Sequence, residues 1–317
     1  MTGQYVDLHN HTVYSDGVDN PAGIVRNAKM KGIDILAITD HDTMAGYEEA
    51  RKEAELWNMK LIPGVEVSTE IYHILGLNVN PKDNEFQNFL GKVQEYQKEI
   101  CRRRIKILQD YGVPISMEKL QNAFPKSRLG KYNIFMTMLR DPECNFYIEE
   151  KHADLSPDEL FSFYLRNKGV AAKITGESGY VSSKEAIDAI HKAGGIAIIA
   201  HPFKEIKENV RETLDKLVEQ GIDGLEVQPF YGDKNNEFRK YAEEKGLMIS
   251  YGSDFHGASF YRPMMGRNGN LAGEKLVERL ERINENPDKQ VKLPKPRGAA
   301  NFGEYKGKTG DDWFFGD

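Results

Sequence analysis

Cysteine, tryptophan and long apolar runs are what this chain has least of. Two cysteines in 317 residues, Cys101 and Cys144, exclude a disulfide framework; they lead to an expectation of reduced thiols and a cytoplasmic setting. No apolar run is long enough to span a bilayer. The opening Met1-Thr2-Gly3-Gln4-Tyr5 shows no basic stretch leading into an apolar one, so no membrane is expected as a partner. Neither sign of charge is in large excess, with Lys+Arg 43 against Asp+Glu 49 and a net charge of −6. Such a chain has no global pull on nucleic acid, and duplex DNA is not expected as a partner. A phosphate-bearing ligand would have to be held by local cations or by metal ions.

What is present is a distinctive set of histidines. Of the 8 histidines, six sit beside an acid, a glycine or a strand end. His9 and His11 form a His-X-His. The others lie in Asp40-His41-Asp42, in Tyr72-His73-Ile74-Leu75-Gly76, in His201-Pro202 and in Asp254-Phe255-His256-Gly257. They are spread over most of the chain, yet each follows or occupies a short apolar run.

Seven such runs read as strands: Tyr5–Leu8, Ile35–Thr39, Leu61–Val67, Ile71–Leu77, Ile196–Ala200, Gly224–Gln228 and Met248–Gly252. Several are nearly continuous in Val, Ile, Leu and Ala, as parallel strands buried on both faces are. Helical patterns separate most of them: Asn20–Lys31, Thr43–Asn58, Ser183–Ala193, Val210–Gln220 and Lys234–Lys245. The first opens with an Asn20-Pro21 cap and stops at Gly32. Strand, helix and glycine in repetition predict an α/β chain built as a parallel sheet or barrel. The stretch 80–182 breaks that rhythm with helical patterns at Glu85–Tyr111, Met117–Ala123, Tyr132–Arg140 and Pro157–Asn167 and no strong strand run. It reads as a helical insertion covering the mouth. The expected division is barrel 1–79, insertion 80–182, barrel 183–286, and an extended or disordered tail 287–317 that ends on Trp313-Phe314-Phe315.

His-X-His after a strand places two imidazoles on one face of an extended chain, at a spacing that chelates one divalent ion. Glu66 ends a strand run, and a carboxylate can bridge two ions where a neutral imidazole cannot. Asp254 and His256 again share a face just past a strand. A single histidine near a strand end is most often a satisfied core residue. Six of them at strand ends are hard to explain independently, since in β/α barrels those ends form the site. His152 and His191 read as ordinary residues by contrast. Asp42 and Glu70 read as solvated or supporting, and Asp7 as either strand-end packing or a partner for a metal-bound imidazole.

These motifs together resemble the polymerase-and-histidinol-phosphatase (PHP) superfamily of metal-dependent phosphoesterases. The resemblance rests on Asp7-Leu8-His9-Asn10-His11-Thr12 with Ser15-Asp16-Gly17, Ile38-Thr39-Asp40-His41-Asp42, Pro63-Gly64-Val65-Glu66, His73-Ile74-Leu75-Gly76, Ala200-His201-Pro202 and Gly252-Ser253-Asp254-Phe255-His256-Gly257. It implies a distorted seven-stranded β/α (TIM-like) barrel with a helical insertion domain and two or three divalent metal ions (Mn, Fe or Zn). Carried over by motif, His9, His11, Glu66 and Asp254 would hold a first ion. Glu66 would bridge to a second, held also by His73 and His201. Asp16, His41 and His256 would hold a third. Asp16 stands where many histidinol phosphatases have histidine, which points to the nucleotide-phosphatase and 5′–3′ RNA exonuclease branch.

The implied reaction is hydrolysis of a phosphomonoester by metal-activated water, attacking phosphorus in line. Glu66 would bridge the ions, and Asp16, His41 or the third ion would supply the leaving oxygen's proton or charge. The implied substrate is a small phosphorylated molecule, namely a nucleotide with a second phosphate such as a 3′,5′-bisphosphate, or the 5′ end of short RNA. In the resembled nucleotide phosphatases basic residues of the insertion hold that second phosphate. Those relatives show Gly-Arg-Pro-His where this chain has Gly130-Lys131-Tyr132-Asn133, so Lys replaces a bidentate Arg. The candidate phosphate contacts here are Arg128, Lys131, Lys173 and Arg262. Arg102-Arg103-Arg104 reads as a solvated or salt-bridged helix face, and Tyr132 and Phe135 as core at helical spacing. The alternatives are a small-metabolite phosphatase such as one for histidinol phosphate, a C–N hydrolase of amidohydrolase type, or a non-catalytic metal-binding module.

Overall fold

A computed structural model of the chain describes residues 5–166, 168–172, 181–227, 237–257, 276–278 and 280. Lys173, Arg262 and the tail 287–317 lie outside these residues, so the expectations placed on them are not addressed by the structure.

Seven strands form one sheet in the order β1 to β7. They are β1 (Val6–Asp7), β2 (Ile35–Ile38), β3 (Lys60–Ser68), β4 (His73–Leu77), β5 (Ile196–Ile199), β6 (Gly224–Glu226) and β7 (Met248–Ser250). The sheet curls until its edges meet just beyond the outer strands. There the Leu8 amide donates to the Tyr251 carbonyl at 2.9 Å and the His11 amide to the Phe255 carbonyl at 2.8 Å. Every residue of β2 and β5 is buried, as strands covered on both faces must be.

The sheet is not wholly parallel. β4 runs antiparallel to both β3 and β5, which corrects the parallel reading of the sequence. Residues 69–72 alone join Ser68 to His73, and a connection that short can close a hairpin but not a parallel crossover. The reversal has a consequence for the site. His73 is the first residue of β4, and the register pairs it with Ser68 at the end of β3. It therefore lies at the same end of the sheet as the residues that follow the parallel strands.

Helices cover the sheet where the chain pattern calls for them. α1 (Pro21–Met30) is capped by Asn20, whose side chain accepts from the Gly23 amide at 2.7 Å. Gly32 then turns the chain at φ 70°, a conformation glycine adopts without steric cost. α2 (Tyr47–Leu56) lies beside α1 over β2 and β3.

After β4 the described residues form five helices in succession before the chain returns to the barrel: α3 (Asn84–Tyr111), α4 (Met117–Ala123), α5 (Lys131–Arg140), α6 (Pro142–His152) and α7 (Pro157–Leu165). The sequence pattern missed α6. Its buried residues are Cys144 and Ile148 while Phe146 is exposed, so no clear apolar stripe marks it. These helices enclose a core of their own that includes Ile105, Leu108, Leu120, Ile134, Met138 and Tyr164.

The 28-residue α3 joins the two cores. Phe86, Leu90 and Val93 of its first turns pack into the barrel core. Cys101, Ile105 and Leu108 of its last turns pack among the other helices. The chain then returns to the barrel through α8 (Ser183–Lys192), a four-residue α9 (Pro202–Glu205), α10 (Val210–Glu219) and α11 (Glu237–Lys245). Among the described residues no helix is long and apolar enough to cross a membrane.

Leu108 is fully buried at the centre of the helical core. Leu108→Ala is expected to cost about 2–5 kcal/mol, the range for a buried Leu truncation, in chemical denaturation. A change below about 1 kcal/mol would show that the second core is not packed in this way.

Candidate metal centre

The loop after β1 is held by polar groups that keep its imidazoles turned to one side. The Asn10 side chain donates to the Asp7 carbonyl, the Asp7 Oδ1 and the Ala37 carbonyl at 3.1–3.2 Å. The Ser253 amide donates to the same Asp7 carboxylate at 2.9 Å. Asp7 thus ties β1 to the loop carrying Asn10 and to the segment after β7, as strand-end packing does. Asp40 accepts from the Thr12 amide, the Thr12 hydroxyl and the Ser15 hydroxyl at 2.5–2.7 Å. The loop carrying His9 and His11 is therefore fixed by buried carboxylates at two places.

Glu66, fully buried in β3, is the centre of the cluster. Its Oε1 lies 3.0 Å from His201 Nε2 and 3.2 Å from His73 Nδ1. Its Oε2 lies 3.2 Å from His9 Nε2, His11 Nε2 and His41 Nδ1. Asp254 Oδ1 faces the first pair, 3.3 Å from His11 Nε2 and 3.5 Å from His9 Nε2. Asp16 Oδ1 faces another side, 3.1 Å from His256 Nε2, 3.7 Å from His11 Nδ1 and 3.9 Å from His41 Nε2. All nine of the residues singled out as ligands, six histidines with Asp16, Glu66 and Asp254, meet at this end of the sheet.

Five overlapping sets have ligand atoms within 4.8 Å of one another among the described residues: His9, His11 and Asp254; His9, Glu66 and His201; His41, Glu66 and His73; His73, His201 and Glu205; and His11, Asp16, His41 and His256. The donor set suits divalent cations. Glu66 Oε2, His41 Nδ1, His73 Nδ1 and His201 Nδ1 are buried and make no hydrogen bond. Burying such atoms without partners costs about 1–3 kcal/mol each, and ions held among them would remove that cost. His201 and Asp254 hold φ of 28° and 54°, a region that non-glycine residues rarely occupy and that concentrates at functional sites.

The charges are coupled. Burial opposes ionisation of Glu66, but His41, His9 and His73 outweigh it and hold its pKa well below the usual carboxylate range. Burial likewise opposes ionisation of Asp254, and Lys204 and His256 outweigh it. On the imidazoles burial disfavours the charged form. Asp254 and Glu66 still push His11 up to about 9, and Glu205 with Glu66 pushes His73 up to about 9. His41 goes the other way, with burial holding its pKa well below the imidazole range despite Glu66 and Asp16.

Three side chains here escaped the sequence reading. Glu226, at the end of β6, accepts from His9 Nδ1 at 3.0 Å and from the His201 amide at 2.7 Å. That contact places the His9 proton on Nδ1 and leaves Nε2 facing Glu66, the arrangement that supports a metal-bound imidazole. The argument from strand ends that selected Glu66 applied equally to Glu226. Gly252 makes room for this pair, since a Cβ there would lie 2.1 Å from His9 Cβ and 2.7 Å from Glu226 Oε1. Lys204 of α9 pairs with Asp254 Oδ2. Glu205 of the same helix lies against His73 and His201. The controls stay apart: His191 pairs with Asp223 at 2.7 Å, and His152 rests against the rings of Phe163 and Tyr164.

A cavity of about 320 Å³ opens beside the cluster. Its wall includes Asp16, His41 and His73 of the cluster together with Gln97, Arg104, Arg128, Lys131 and Tyr132. Arg102 and Arg103 are exposed and pair with Glu99, but Arg104 is 7% exposed and borders the cavity. The reading of all three arginines as a solvated face fails at Arg104, which successive rotations of about 100° per residue turn away from its exposed neighbours. Arg128 is engaged inside the protein, donating to Asp42 Oδ2 and to Ser68 Oγ at 2.7 Å each. Asp42 is accordingly buried rather than solvated. Phe135 is core as expected, whereas Tyr132 borders the cavity.

The segment carrying Arg128 is sewn to the ligand loop. Ser127 Oγ donates to the Val13 carbonyl at 2.7 Å, the Arg128 amide to the Tyr14 carbonyl at 2.8 Å and the Asn133 side chain to the Ser15 carbonyl at 3.2 Å.

Comparison with known proteins agrees with this arrangement. The family model described as the PHP domain matches residues 7–229. A 5′–3′ exoribonuclease of Haemophilus influenzae is 33% identical over 272 residues, covering 81% of this chain and 91% of that protein. A 3′,5′-nucleoside bisphosphate phosphatase of Chromobacterium violaceum is 28% identical, covering 79% and 87%. Among solved structures, a candidate metal-dependent phosphoesterase of Bifidobacterium adolescentis has the same fold, with a TM-score of 0.72 at 24% identity over 87% of this chain and 95% of that one.

Ions held by His11 and His73 would displace the protons on these rings, because an imidazole binds an ion through a neutral nitrogen. Both groups are raised, so they stay protonated below about 9 in the metal-free protein. Apparent Mn affinity is therefore expected to rise between pH 6 and pH 8.5, with protons released on binding. Titration calorimetry in buffers of different ionisation heat checks this. No proton release together with pH-independent affinity would contradict it.

Proposed function

The chain belongs to the PHP domain family and is a metal-dependent phosphoesterase, and we propose that it removes a phosphate from a nucleotide carrying a second phosphate or from the 5′ end of short RNA. The observation that carries this reading is the cavity. Its wall combines candidate metal-ligand residues, Asp16, His41 and His73, with the cations Arg104, Arg128 and Lys131. A substrate with two anionic groups can engage both the cluster and these cations, whereas a substrate with one phosphate has a single group to offer them. The names of the exoribonuclease and bisphosphate phosphatase relatives favour the same chemistry.

In this reading two or three divalent ions, Mn, Fe or Zn, occupy the cluster. His9, His11, Glu66 and Asp254 hold the first. Glu66, His73 and His201 hold the second, and Asp16, His41 and His256 the third. When bound, such ions supply Lewis acidity toward the phosphoryl oxygens and an activated water. The protein's own groups do the rest. Glu226 fixes the His9 ring so that its Nε2 faces the centre. Asp16 and His41 border both the cluster and the cavity, where they would hold the third ion close to the charge that develops on the leaving oxygen. Lys131, with Arg104 beside it, binds the second phosphate. Arg128 contributes positive potential while its guanidinium stays engaged by Asp42 and Ser68. Residues 80–182 serve as the substrate cap, anchored on the ligand loop through Ser127, Arg128 and Asn133.

The test is phosphate release by purified protein with Mn, using 3′-phosphoadenosine 5′-phosphate, 5′-phosphorylated oligoribonucleotides, AMP and histidinol phosphate. The first two are expected to be turned over best. Lys131→Ala should raise KM for them about 10–100-fold, the loss of one charged hydrogen bond of ~1.5–3 kcal/mol, and should change KM for AMP far less. Equal effects on all substrates, or preference for histidinol phosphate, would overturn the substrate assignment.

A further inference from the structure

Glu205 is the fourth residue after His201, on the short helix α9, and folds back toward the cluster. Its two oxygens do different things. Oε2 accepts the His73 backbone N–H at 3.1 Å, which fixes the carboxylate in place. Oε1 lies 3.4 Å from His73 Nδ1 and 3.5 Å from His201 Nδ1. Both nitrogens are buried and make no hydrogen bond. Ligand atoms of His73, His201 and Glu205 lie within 4.8 Å of one another.

We propose that Glu205 is a further protein ligand of the second metal position, beside Glu66, His73 and His201. The inference rests on the metal-centre reading above. Two ligands each about 2.1 Å from one ion, in a tetrahedral array, sit roughly 3.4 Å apart. Glu205 Oε1 and His73 Nδ1 are at that separation, and Glu66 Oε1 lies 3.2 Å from the same nitrogen on another side. A purely structural tie between α9 and β4 needs one carboxylate oxygen on the His73 amide, and Oε2 alone fulfils it. It gives no reason for the second oxygen to approach the buried His73 Nδ1, the nitrogen that also faces Glu66. A role in orienting His201 alone would call for a hydrogen bond to its Nδ1, and 3.5 Å is long for one.

With Glu205 included, the second position carries two imidazoles and two carboxylates. Oxygen-rich donor sets favour Mn or Fe over softer sites that suit Zn. The position would also be held partly by a residue within α9, next to Lys204 on Asp254.

The test is Mn binding to the full-length protein, counted by elemental analysis and by the electron paramagnetic resonance signal of free Mn. Glu205→Ala and Glu205→Gln should each weaken one class of Mn sites by about tenfold or more, leaving the other class at wild-type affinity. Glu205→Gln keeps an acceptor for the His73 amide, so it tests ligation even if Glu205→Ala perturbs folding; circular dichroism of both reports that. Wild-type Mn binding by Glu205→Gln would overturn the proposal, because a hydrogen-bonding amide would then suffice. Wild-type binding by Glu205→Ala would overturn it too. A wild-type protein that takes up no Mn would instead defeat the metal-centre reading on which the inference stands.

Discussion

One buried carboxylate organises this molecule. Glu66 is fully enclosed in β3, yet five imidazole nitrogens approach its two oxygens within 3.2 Å. A lone ionised carboxylate in such a place would be very costly. Charge-compensating groups must therefore gather round it, protons on histidine in the metal-free protein and cations when metal is bound. The two oxygens face different sets of histidines, which suits a carboxylate shared between two ions. Much of the nearby architecture keeps those groups in reach. Asp7 and Asp40 fix the His9–His11 loop, Glu226 sets the His9 ring, and Gly252 leaves the room that pair requires.

The topology follows from the same requirement. Residues after parallel strands reach one end of a barrel without further adjustment, and this accounts for His9, His11, His41, His201, Asp254 and His256. His73 could not reach it from the start of a parallel strand. Reversing β4 delivers it there. α3 then carries the chain from the barrel core to the second helical core. Gln97, between its two apolar stretches, and Arg104, within the second, border the cavity. A single long helix thus brings Gln97 and Arg104 to the cavity that Asp16, His41 and His73 also line.

How much of this was legible beforehand varied by element. The seven strands were readable because each is a short apolar run bounded by turn residues, and the ligand histidines were readable because they cluster at those boundaries. Direction was less readable: β4 carries the same Ile and Leu pattern whichever way it runs, and the four-residue gap before it was the available clue. α6 hid because its buried residues are few. Arg104 was misjudged with its neighbours because three arginines in a row point three ways around a helix, and burial chose one. Glu205 and Lys204 escaped because α9 has four residues, too short to show a period. Glu226 was a missed opportunity of a different sort, since its place at a strand end was visible.

The account stands or falls on ions gathered about Glu66. An anomalous-difference map from crystals equilibrated with Mn tests that most directly. Two or three peaks are expected at the barrel mouth, with one on each side of the Glu66 carboxylate and His9, His11 and Asp254 about the first. A single peak away from Glu66, or no peak at the ends of these strands, would contradict the central claim.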